Sequence, residues 1–143
     1  MTRLRISVLF VLTAFLLSTA SLGALGATNA APQHGFSFKE YEEFHDVLHP
    51  LEHDALPKKD YRRIRSQANL LVKRGNSIVK LGVPRGTSED KKEEFAKELD
   101  SFRQALAKFK ADARTGTNYQ LKASYSAVHD TFEILAAMLP RQS

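Results

Sequence analysis

The chain has 143 residues, with 21 Lys and Arg against 16 Asp and Glu, a net charge of +5 and no cysteine. Without thiols there are no disulfides, zinc–thiolate sites, iron–sulfur clusters or thioether-linked haem. The charge is too mild to argue for nucleic acid as a partner.

Arg3 and Arg5 precede an almost unbroken apolar run from Ile6 to Leu17, and small residues follow from Ser18 to Ala31. This order of charged, apolar and small-residue regions is that of a secretory signal peptide. Residues 1–30 are therefore expected to be removed, with cleavage after Ala27 or Ala30. The apolar run is short of the ~20 residues that a membrane span requires. No cysteine follows it, so a lipid anchor on cysteine is excluded. Loss of Arg3 and Arg5 lowers the basic count from 21 to 19 against 16 acids, leaving +3. The expected location is the periplasm or the exterior, with no membrane association after cleavage. The remaining length suits one domain with one core.

Residues 31–36 are expected to be a flexible tail, and residues 37–140 a bundle of four helices. Ser37 and Glu40 have the spacing of a capping box, and Tyr41, Phe44, Leu48, Leu51 and Ala55 recur behind them at helical spacing. Pro50 interrupts this first segment and predicts a kink or split near His49. Pro57 and Asp60 mark a restart. The second segment runs to Leu81 with Tyr61, Ile64, Ala68, Leu71, Val72 and Val79 as its apolar face. Residues 82–86 form the clearest loop. A third segment opens at Thr87 or Ser88, and Glu89 and Asp90 complement its dipole. Its stripe is Phe95, Leu99, Phe102, Leu106 and Phe109, and residues 113–116 make a second loop. Thr117 and Gln120 predict another capping box. Leu121, Tyr125, Val128, Phe132, Leu135 and Leu139 form the last stripe before Pro140. Four amphipathic helices with short links predict an all-α, antiparallel up-down-up-down four-helix bundle.

Histidine is the remaining ligand type. His34 lies in the tail and is set aside. His45, His49 and His53 are spaced by four, and each step of four advances ~40° round an ideal helix. They form a drifting stripe, with His45 beside the apolar face and His53 towards solvent. In the predicted topology Leu139 is level with Ser37, which puts His129 at the height of His45 and His49. Helix axes ~8–10 Å apart let imidazoles of both helices reach one ion. Imidazole suits Zn, Cu, Ni and haem iron. Asp46, Glu52, Asp130 and Glu133 are candidate extra ligands or acceptors that fix a ring tautomer. The alternative is that these are boundary histidines, bonded to neighbours such as Asp46 or Glu133. The basic run Lys58, Lys59, Arg62, Arg63 and Arg65 reads as a solvated helix face.

The stretch Leu121 to Phe132, with Tyr125, Val128, His129 and Phe132 in order, resembles the last helix of the cytochrome c prime and related four-helix cytochrome b family. Tyr125 and Val128 stand where c prime proteins carry the haem-attaching cysteines, and His129 stands at the axial-ligand position. The resemblance implies the antiparallel bundle and an iron ligand at His129, with His45 or His49 as a second ligand. Glu133 departs from the basic residue often found there. The helix-one methionine ligand of the cytochromes b has no counterpart, since Met138 is the one methionine after the leader.

The leading expectation is an exported protein that binds a transition-metal ion (Zn, Cu or Ni) through His45, His49 and His129, with His53 contributing. The alternatives are a non-covalent haem b electron-transfer protein, with His129 and a helix-one histidine as axial ligands, and a metal-free interaction protein of the envelope. An enzyme is not expected. There is no Ser-His-Asp arrangement and no Gly-rich phosphate loop. Glu93, Glu94, Glu98 and Asp100 read as solvated charge.

Overall fold

The computed structural model describes residues 35–140, so the expected leader, most of the tail and His34 lie outside the described residues. The described chain is all-helical: α1 (Lys39–Pro50), a π turn (Leu51–Ala55), α2 (Tyr61–Leu81), α3 (Glu89–Thr115) and α4 (Asn118–Ala137). No described helix is long and apolar enough to cross a membrane.

The helix starts follow local chemistry. The Asp60 carboxylate accepts the Arg63 N–H at 3.0 Å and caps α2. At α4 the expected box forms in both directions: the Gln120 N–H donates to Thr117 Oγ1 at 3.2 Å, and the Thr117 N–H donates to Gln120 Oε1 at 2.8 Å. The box expected at Ser37 does not form. Phe38 takes the cap position of α1 with no side-chain bond, and Ser37 Oγ donates to the Pro140 carbonyl at 3.3 Å. A tertiary acceptor has displaced the local one. Residues 113–115, expected as loop, continue α3 to Thr115, because Arg65 holds its terminal carbonyls.

One stripe from each helix meets in a single core. Tyr41, Phe44 and Leu48 of α1, Ile64, Leu71 and Ile78 of α2, Phe95, Phe102, Leu106 and Phe109 of α3, and Leu121, Tyr125, Val128, Phe132 and Leu135 of α4 are all buried. Each large apolar side chain so buried contributes ~1.5–3 kcal/mol. On α2 the buried positions are 64, 68, 71, 72, 75 and 78, so Ile78 completes the stripe, with Val79 half-buried against the core. Gly75 lets α3 come close there: a Cβ on it would lie 2.6 Å from a Leu106 methyl. α2 packs along α1 and α3, and α3 along α4. Between α1 and α4 the contact is aromatic. The Phe132 ring lies 4.7 Å from Phe44 and 5.9 Å from Tyr41, centre to centre.

Candidate metal centre

The site begins with Pro50. It has no N–H to donate to the Asp46 carbonyl, and its ring crowds the preceding turn. The helix does not end there. It widens into the π turn, closed by the Leu56 N–H on the Leu51 carbonyl at 2.9 Å. The split predicted near His49 is thus a change of winding.

His45, His49 and His53 stand in a ladder along this join. The ring centroids of His45 and His49 are 5.2 Å apart, and those of His49 and His53 are 4.3 Å apart. His49 and His53 are exposed and His45 is half-buried. The His45 ring also lies 5.4 Å from Phe36 and 6.3 Å from Phe132. Phe36, placed by sequence in the tail, is itself packed on Phe132 at 5.8 Å. His45 therefore belongs to the aromatic edge of the core, while the other two imidazoles face solvent.

Helix α4 passes at the same level. Ser37 meets Pro140, Phe44 meets Phe132, and the Tyr125 hydroxyl donates to the Leu48 carbonyl at 3.1 Å. His129 falls between Tyr125 and Phe132 in this register. Its side chain is 30% exposed, and Nδ1 lies 3.2 Å from Asp130 Oδ1. Asp46, Asp130 and Glu133 are exposed. Among the described residues no group of three or more His, Asp or Glu side chains is arranged to hold a metal ion. What the geometry brings together is the His49–His53 pair, with His45 one step further along.

Two features were not read from the sequence. Tyr125 counted as one more apolar residue of its stripe, yet a buried phenol requires an acceptor. Burial holds its hydroxyl well above the ordinary tyrosine range, and the neighbouring Glu52 carboxylate adds to this, so it stays a donor. The second is Arg65. Its Nη1 donates to the carbonyls of Asp112 at 2.9 Å and Ala113 at 3.0 Å, and its Nη2 to Gly116 at 2.8 Å and Asn118 Oδ1 at 3.2 Å. Arg65 is thus a helix C-cap rather than part of a solvated basic face. The chain matches no protein-family model, curated protein or solved structure.

Proposed function

We propose that this chain is an exported protein, periplasmic or secreted, whose antiparallel up-down-up-down four-helix bundle binds a transition-metal ion through histidine. The observation that carries this reading is the 4.3 Å separation of the His49 and His53 rings on a solvent-facing surface. Two imidazoles one turn apart supply borderline donors suited to Cu, Ni or Zn. His45 extends the ladder, and His129 on α4 is a further candidate ligand. Water or an external ligand would complete the coordination, since among the described residues no third ligand stands in a preformed group. Binding requires neutral imidazole, so acid weakens it.

Titration with Cu2+, Ni2+ and Zn2+ by calorimetry tests the reading. His49→Ala and His53→Ala should each abolish tight binding, and His129→Ala should weaken it. Metal at a hundred times its Kd should stabilise the fold by ~2.7 kcal/mol. Affinities equal to wild type in both ladder variants would end the idea. Haem b ligated by His129 is the second reading, carried by the motif resemblance. A macrocycle there would have to displace the Phe44–Phe132 pair and the Tyr125–Leu48 bond, which favours the bare ion. A Soret band in the purified protein would reverse that preference. A protein with neither metal nor haem response would leave the envelope interaction reading.

A further inference from the structure

The two steps of the histidine ladder are not equal. His45 to His49 lies within α1, where a step of four overshoots a full turn by ~40°. The rings accordingly splay, with centroids 5.2 Å apart. His49 to His53 crosses into the π turn. A turn closed between residues five apart takes up one more residue, so each residue rotates the chain less. The overshoot shrinks, and the His53 ring comes to 4.3 Å from that of His49. The wide winding brings this pair together.

A wide turn is not self-sustaining, because it is the rare form of helix. Here it is tied at the point where it starts. The Leu48 carbonyl accepts the Leu51 N–H, and also the Tyr125 hydroxyl from α4 at 3.1 Å, across 77 residues of sequence. Tyr125 is fully buried, and its ring packs on Phe109 at 5.9 Å, so core packing positions the donor. Further along, the Asp60 N–H meets the Ala55 carbonyl at 2.8 Å, again five residues apart. The turn is thus held at one end by α4 and at the other by the cap of α2.

We infer that Tyr125 is a positioning residue for the His49–His53 pair: its hydroxyl, by holding the Leu48 carbonyl, fixes the π turn that sets one imidazole over the other. This deepens the metal reading and rests on it for its purpose. The geometry can be tested without metal. Tyr125→Phe removes the hydroxyl and keeps the ring, while Thr117→Ala, at the start of α4, controls for general loss of stability. In Tyr125→Phe the Leu56 and Asp60 amides should exchange about fivefold faster than in the control. Nuclear Overhauser contacts between the His49 and His53 ring protons should weaken, and Cu2+ affinity should fall roughly tenfold. The control should keep wild-type contacts and affinity. Ring contacts unchanged in Tyr125→Phe would overturn the inference whatever the metal does. Weakened contacts in Tyr125→Phe, together with a wild type that binds no Cu2+, would uphold the positioning role and discard the metal reading instead.

Discussion

Arg65→Ala offers the most direct test of how the helix ends are joined. The last carbonyls of any helix lack partners within it, and here one guanidinium supplies them. It reaches three carbonyls, at Asp112, Ala113 and Gly116, and one side-chain oxygen, at Asn118. A hydrogen bond from a charged donor contributes ~1.5–3 kcal/mol, and a cation at a helix C-terminus ~0.3–1 kcal/mol. These do not sum. All four bonds belong to one half-buried side chain, and water can reach some of the acceptors once it is gone. A net loss of about 2–3 kcal/mol is expected, which lowers Tm by roughly 10 °C in a domain of this size. Urea denaturation followed by circular dichroism should show a lower midpoint at unchanged slope. Arg65→Lys should recover less than half, since an ammonium has no planar fork. A stability for Arg65→Ala within ~0.5 kcal/mol of wild type, or full rescue by Lys, would refute the clamp.

Thr117→Ala should cost ~1 kcal/mol through loss of the capping box, read as a shifted urea midpoint. Gly116→Ala should cost ~1–3 kcal/mol, because its Cβ would lie 2.8 Å from the Asp112 Cα and 2.9 Å from its carbonyl oxygen. Those are backbone atoms that cannot swing aside, so a neutral result would mean the loop shifts freely. The Asp112 carboxylate is held below its usual range by the Lys108 ammonium 3.0 Å away, with the Ser124 hydroxyl adding to it. A depressed carboxylate contributes stability above its unfolded pKa of ~3.9, lost as pH falls through its lower folded value. Asp112→Asn should therefore flatten the acid limb of the stability profile below pH ~4; an unchanged limb would assign that limb to other carboxylates.

The helices were legible because each carries one apolar stripe at a regular spacing. Of the α3 stripe Phe95, Phe102, Leu106 and Phe109 are buried, and Leu99 is half-buried against the core. Thr117 is legible as a cap because a short side chain has a local partner three residues on, and Asp60, expected only as the restart of the chain, caps α2 in the same way. Ser37 has the same signature, yet it meets Pro140, 103 residues away. Local pattern cannot rank a local acceptor against a tertiary one. Arg65 was hidden for the same reason. Nothing in a run of basic residues marks which of them turns towards the end of another helix.

The histidines show where periodicity stops being informative. On an ideal helix the arithmetic of ~40° per step carries His53 away from His49 and towards solvent alone. Pro50 warns that the helix is not ideal, but a proline can end a helix, kink it or widen it. Those outcomes place His53 differently, and the preceding residues do not choose among them. The choice is coupled to Tyr125, on the far side of two other helices in the chain, whose hydroxyl meets the Leu48 carbonyl. The pair His49 and His53 is therefore a tertiary feature written in local spacing: the spacing of four supplies two ligands on one helix, and α4 holds the winding that brings them to 4.3 Å.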